Sequence, residues 1–75
     1  MRYRYFDGYE FEANGPLEIA TALWQSKFVP EATLEEWMLG FARRLKMWDG
    51  TVVRTGSVDE LVDDLLTGGH LVAIS

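Results

Sequence analysis

The first thirteen residues alternate between aromatic and charged side chains, with the period of two that is typical of β-strands. Asp7-Gly8 interrupts the alternation and is a strong turn signal. A two-residue loop would mix the two faces, whereas a three-residue loop beginning at Phe6 separates an aromatic face from a charged one. The pattern therefore predicts a β-hairpin over residues 1–13, with Gly8 in the left-handed bulge position. The predicted pairs are Tyr5 with Tyr9, Arg4 with Glu10, Tyr3 with Phe11 and Arg2 with Glu12.

The next stretch has apolar residues at helical spacing and predicts a first helix over residues 16–27. Asn14-Gly15-Pro16 begins it, because proline is well tolerated at the first helical position. Val29-Pro30 should end it, since the residue before a proline is disfavoured in a helix, and Phe28 lies just beyond its end. Its apolar stripe consists of Ile19, Ala20, Leu23 and Trp24.

A second helix shows the clearest helical signal in the chain. Thr33 and Glu36 form a capping box at its start, and Asp49-Gly50 should end it. The apolar stripe predicts that Trp37 and Trp48 both lie in the core. Its full membership is Leu34, Trp37, Met38, Phe41, Ala42, Leu45 and Trp48. Leu39 and Met47 fall off this stripe beside Arg43, which indicates an exposed apolar patch whose simplest use is self-association.

The last third of the chain predicts a short strand over residues 51–54, a third helix over residues 58–67 and a final strand over residues 71–74. Ser57 and Glu60 form a second capping box, and Gly68-Gly69 supplies the helix C-cap. The final strand is expected to pair with the N-terminal hairpin. The order β-β-α-α-β-α-β predicts one α+β domain over residues 1–75.

Composition limits the class of protein. The chain has 75 residues, 48% of them hydrophobic, which suits one small packed core. It contains no cysteine, so a disulfide framework and a zinc–thiolate site are excluded, and a cytoplasmic location is expected. No apolar run approaches the roughly 20 residues that cross a bilayer. The net charge of −5 argues against direct binding to nucleic acid and permits binding to a basic protein surface.

The third helix carries most of the net negative charge: its four acids are Asp59, Glu60, Asp63 and Asp64, and no lysine or arginine follows Arg54. Asp59 and Glu60 are explained by the helix dipole, which favours acids in the first turn. Asp63 and Asp64 have no such explanation. They are either ordinary solvated residues or part of a negative strip that contacts lysines and arginines of a partner protein.

Catalytic motifs are missing from the sequence. His70 is the only histidine, expected at the surface or at a strand edge, and no glycine-rich phosphate loop precedes a helix. We therefore expect no enzyme activity, cofactor or metal.

Arg43, Arg44 and Lys46 are interpreted as partners of the helix dipole or of the acidic helix within the chain. The candidate partner-binding residues are Phe6, Leu39, Arg43, Met47, Asp59, Glu60, Asp63 and Asp64.

Three short strings resemble a loose pattern in short, mostly uncharacterised proteins of phages and mobile elements. They are Tyr9-Glu-Phe-Glu, Pro16-Leu-Glu-Ile and Arg54-Thr-Gly-Ser-Val-Asp-Glu-Leu. They contain helix caps and core positions and no catalytic residue. The resemblance implies a protein that blocks host machinery, as anti-CRISPR proteins do by covering nucleic-acid-binding surfaces.

The leading hypothesis is thus a protein-binding module whose acidic helix contacts a basic surface. Two alternatives stay open: a nucleic-acid-binding regulatory domain that uses Arg43, Arg44, Lys46 and Arg54, and a structural homo-oligomer that buries Leu39 and Met47.

Overall fold

The computed structural model describes residues 1–26 and 31–74, and this part of the chain forms three strands and three helices. The predicted α+β class, with an N-terminal hairpin, three helices and a C-terminal strand, is confirmed. In chain order the elements are β1 (Arg2–Tyr5), β2 (Glu10–Glu12), α1 (Pro16–Gln25), α2 (Leu34–Asp49), α3 (Val58–Thr67) and β3 (Leu71–Ala73).

The hairpin has the predicted three-residue loop and register. Tyr3 lies opposite Phe11, their rings stack with centroids 5.9 Å apart, and the charged pairs fall on the other face. The backbone amide of Tyr5 donates to the carbonyl of Tyr9 at 2.8 Å, which closes the loop. Gly8 has a φ of 97°, the left-handed conformation that glycine adopts without strain.

Strand β1 lies in the centre of a three-stranded antiparallel sheet with the order β2-β1-β3. The final strand therefore pairs with the hairpin, as predicted, and Leu71 lies opposite Tyr5. The backbone amide of Ile74 donates to the carbonyl of Arg2 at 2.9 Å, which extends the pairing one residue past β3. Both edges of β1 are thus hydrogen-bonded.

The predicted strand over residues 51–54 is wrong. This segment is an extended connection between α2 and α3 and pairs with no strand of the described chain. The side chain of Val53 is buried in the core, which explains the apolar pattern. The backbone amide of Arg54 donates to the carboxylate of Asp64 at 2.8 Å, so a side chain takes the place of a strand neighbour.

Both predicted capping boxes form their main contact: the side-chain oxygens of Thr33 and Ser57 each accept a hydrogen bond from the backbone amide three residues later, at 3.2 Å. Gly50 ends α2 with a φ of 80°. After α3, Gly69 has the same φ, and the amides of Gly69 and His70 donate back to the last helical turn. This is a Schellman motif.

Helix α1 ends at Gln25, two residues before the predicted end. The expected stop at Val29-Pro30 and the position of Phe28 lie outside the described residues.

The core lies between the sheet and the helices, and α1 contacts both α2 and α3. Trp37 is 2% exposed and belongs to this core, as predicted. The same prediction is wrong for Trp48, which is 67% exposed although it continues the apolar stripe of α2. Trp48 lies in the last turn of α2, where its ring packs against Phe6 at the tip of the hairpin.

Candidate functional site

The four acids of α3 share its outward side, here called the acidic face (Asp59, Glu60, Asp63 and Asp64). The opposite side of α3 packs Leu61, Val62 and Leu65 into the core, which fixes the rotation of the helix about its axis. The acids differ in exposure: the side chain of Asp63 is 69% exposed, whereas that of Asp64 is 23% exposed. The acidic face is therefore open to solvent at Asp63 and partly covered at Asp64.

Arg54 lies among these acids and contacts three of them. Its guanidinium binds Asp64 with two nitrogens, Nη2 to Oδ1 at 2.9 Å and Nε to Oδ2 at 3.1 Å. The same Nη2 reaches Oδ2 of Asp63 at 3.3 Å, and Nη1 lies 3.6 Å from Oε2 of Glu60. Two-pronged binding of a carboxylate is the strongest geometry that arginine offers. Arg54 is thus the central cation of the acidic face.

Asp64 also holds the backbone of the connection that carries Arg54. Its Oδ2 atom accepts the amide hydrogen of Arg54, so one carboxylate binds both the side chain and the main chain of the same residue. These bonds hold the pKa of Asp64 below its usual range, because the side chain and then the backbone of Arg54 favour the charged carboxylate. The pKa of Arg54 is raised for the reciprocal reason.

The structure changes the interpretation of Asp63 and Asp64, the two acids that the sequence leaves unexplained. Both have an internal partner in Arg54, and Asp64 is fully engaged by it. Asp59, by contrast, is exposed and makes no ion pair within residues 1–26 and 31–74. The acids most open to a partner protein are therefore Asp59 and the exposed side of Asp63.

Sequence reasoning missed the role of Arg54, because its apolar neighbours suggested a strand. The sequence contains one signal for this role. Arg54 is the last basic residue before the four acids of α3, and it lies three residues before Ser57, which caps that helix.

The basic residues of α2 do not match the acidic face, contrary to one interpretation of the sequence. Arg44 instead binds Oε2 of Glu31 at 3.1 Å. Arg43 and Lys46 are exposed and form no ion pair with the residues that the structure describes. Leu39 and Met47 lie beside them and are 56% and 81% exposed, in keeping with their position off the core stripe.

Phe6, at the tip of the hairpin, is partly exposed but not isolated. Its ring lies 4.8 Å from that of Trp48 and 5.7 Å, edge to face, from the imidazole of His70. These contacts connect the hairpin tip to the end of α2 and to the turn before β3. The exposed area of Phe6 is therefore part of an aromatic cluster, which the sequence did not reveal.

His70 binds the end of α2. Its Nε2 atom lies 3.0 Å from Oδ2 of Asp49 and 3.4 Å from the hydroxyl of Thr51. The backbone amide of Thr51 donates to the other oxygen of Asp49 at 2.9 Å. Hydrogen bonds from Thr51 and then from His70 lower the pKa of Asp49 to about 2. The imidazole is largely buried, at the residue just before β3, and links two elements.

An aromatic cleft of about 260 Å³ lies between the hairpin tip and α2. Its volume is below the range of roughly 300–1,000 Å³ that is usual for small-molecule sites. Burial and then the nearby charge of Asp7 raise the pKa of Tyr5, whose ring helps to line the cleft. Further lining residues are Phe6, Trp37, Phe41, Arg44 and Trp48.

Residues 1–26 and 31–74 contain no group of three or more histidine, aspartate or glutamate side chains that could hold a metal ion. In the same residues, no helix combines the length and apolarity that crossing a membrane requires.

The fold and the acidic face define the class of this protein: a small α+β domain with a negatively charged helix organised around one arginine. Comparisons of the chain with protein-family models, with curated proteins and with solved structures give no match. The function is therefore inferred from the physical properties of the surface.

Proposed function

We propose that this protein is a non-catalytic protein-binding module that docks the acidic face of α3 on a basic surface of its partner. The contact is centred on Asp59, with which Arg54 forms no ion pair, and on the exposed side of Asp63. In the setting that the resemblance implies, a phage or mobile element, the partner is a host factor and the covered surface is one that binds nucleic acid.

The observation that carries this proposal is the charge that remains after Arg54 is counted. Four carboxylates against one guanidinium leave three negative charges on one side of a ten-residue helix. Arg54 also reduces the repulsion between Glu60 and Asp64, which are four residues apart. The face thus keeps its acids in a fixed arrangement while staying negative.

A basic surface that binds nucleic acid is suited to this face. Such surfaces present lysine and arginine to a row of phosphates, and a row of carboxylates on a rigid helix offers the same sign of charge. Complementary charge raises the association rate and makes the affinity fall with salt. Binding should therefore weaken as ionic strength rises.

The nucleic-acid-binding alternative has less support than the sequence suggested. Of its four bases, Arg44 is bound to Glu31 and Arg54 to the acidic face. Only Arg43 and Lys46 make no ion pair among the described residues, and they share an acidic molecule with a net charge of −5.

The test begins with a photo-crosslinking amino acid at position 63, which captures the partner in host cells. The same amino acid at position 12, on the hairpin, is the control. The captured protein is then purified and titrated against the wild type and against Asp59→Asn/Asp63→Asn at two salt concentrations.

We expect the double variant to bind at least about tenfold more weakly and to show a shallower salt dependence. Glu10→Gln/Glu12→Gln removes the same number of charges from the hairpin and should bind like the wild type. Equal affinities for all three proteins would show that the acidic face does not bind the partner.

A further inference from the structure

The outward side of α2 carries opposite charges at its two ends. Glu35 and Glu36 lie in the first turn, and Arg43 and Lys46 lie in the C-terminal half. Leu39 is exposed midway between the acids and the bases. All five side chains belong to what we call the outer face of α2, together with Met47.

Helical spacing places these residues on one continuous surface. Positions 35, 39, 43 and 47 follow one another at intervals of four, so they are neighbours on one side of the helix. The buried residues Trp37, Met38 and Leu45 occupy the opposite side, against the core. The outer face thus combines exposed apolar area with separated positive and negative ends.

We infer that the outer face of α2 is a self-association surface, and that its occupant is the same face of a second copy in an antiparallel, two-fold arrangement. The two-fold axis places the acidic end of each helix against the basic end of the other. A parallel arrangement would bring like charges together. Antiparallel packing also opposes the two helix dipoles.

A pairing centred beside residue 41 places one pair of opposite charges and one apolar contact on each side of the axis, with Met47 opposite Glu35. It aligns Glu36 of one copy with Lys46 of the other, twice, because the axis repeats every contact. Leu39 then faces the aliphatic stem of Arg43, whose charged head stays in water. The two Leu39 side chains flank the axis and form the centre of the contact.

The size of the outer face of α2 limits the expected affinity of the dimer. A helix of 16 residues is about 24 Å long, and one such face is smaller than a standard stable interface. We expect a weak dimer that forms as concentration rises. The contact is closed by its symmetry, so it does not grow into filaments.

Sedimentation equilibrium from micromolar to millimolar concentration tests the inference. The wild-type mass should rise from 8.6 kDa towards twice that value. Arg43→Glu/Lys46→Glu makes the face acidic throughout, and Glu35→Lys/Glu36→Lys makes it basic throughout. Each variant alone should be monomeric, and an equimolar mixture should form a heterodimer at lower concentration than the wild type forms its dimer.

Leu39→Glu provides an independent test, because it leaves the capping residue Glu36 and both bases in place. It should weaken the dimer at least about tenfold, with circular dichroism showing an unchanged helix content. A wild type that stays at 8.6 kDa at every concentration would overturn the inference, whatever other partner the face binds. Folded charge-reversal variants that dimerise alone, or that fail to associate when mixed, would overturn it as well. The acidic face of α3 is unaltered in all these variants, so this result does not decide the proposed function.

Discussion

Two aspartates on the same helix have different roles. Asp64 binds the guanidinium and the backbone amide of Arg54, whereas Asp59 makes no ion pair within the part of the chain that the structure describes. Asp59 lies in the first turn of the helix and Asp64 in its second half, but neither position shows which of the two has a partner within the chain. The distinction comes from the path of the connection before α3, which brings Arg54 to one side of the acidic face.

Asp64→Asn should therefore lower the thermal midpoint of unfolding clearly more than Asp59→Asn. The first change weakens the two-pronged contact with Arg54 and the bond to its amide. The second removes one of several like charges. Circular dichroism melts of the two variants measure this. Similar melting temperatures would show that Asp64 does not hold the connection.

The tryptophans of α2 provide a second comparison of single residues. Trp37 is buried and Trp48 is mostly exposed, although both follow the same apolar stripe. Trp37→Ala should cost about 3–5 kcal/mol of unfolding free energy, as for large side chains in cores. Trp48→Ala loses mainly its contact with Phe6 and should cost about 0.5–1.5 kcal/mol. Urea denaturation measures both values. Similar losses would contradict the placement of Trp37 inside the core and of Trp48 outside it.

At the scale of elements, local chemistry determines where each helix begins and ends. Thr33 and Ser57 cap the starts of α2 and α3, and glycines with positive φ follow their ends. These signals depend on a few neighbouring residues, so the sequence predicts α2 and α3 well. The hairpin register was predictable for the same reason, because only one loop length separates its two faces.

Gly50 offers a test of this local control. Its φ of 80° is costly for residues that carry a Cβ atom, although no neighbouring atom would clash with one. Gly50→Ala should therefore lower the unfolding free energy by about 1–2 kcal/mol. Gly50→Asn is the matched control, since asparagine tolerates this conformation better, and it should lose less. Equal losses in chemical denaturation would point to a packing effect instead of a backbone effect.

Features that depend on distant residues were not predictable from the sequence. Residues 51–54 have a strand-like composition, but the central strand β1 already has neighbours on both edges, and Asp64 satisfies the amide of Arg54. The apolar stripe of α2 likewise does not show where the core ends, so the sequence wrongly predicts that Trp48 is buried. In the candidate site the acids were found from the sequence, while their central cation was not.

At the scale of the whole molecule, the described carboxylates with lowered pKa values hold the two ends of the connection between α2 and α3. Asp49 binds Thr51 and His70 at one end, and Asp64 binds Arg54 at the other. Both sets of contacts favour the charged carboxylate. Acid should therefore weaken the way α3 and β3 are attached to the rest of the molecule.

The expected pH dependence follows from the sign of these shifts. The pKa of Asp49 falls from 3.8 to about 2 on folding, so the folded state favours the deprotonated form. Its stabilising effect is complete above pH 3.8 and is lost as the pH falls towards 2. Urea midpoints measured across this window should decline for the wild type and decline less for Asp49→Asn. Identical slopes would contradict this role for the carboxylate.

The hydrogen bond between Ile74 and Arg2 places the two ends of the described chain side by side on the sheet. Residues that lie 72 positions apart in sequence thus leave the fold at one place. Close ends are what domain insertion and circular permutation require. The fold can therefore be placed within a surface loop of another protein through two short linkers, leaving the hairpin and its central strand intact.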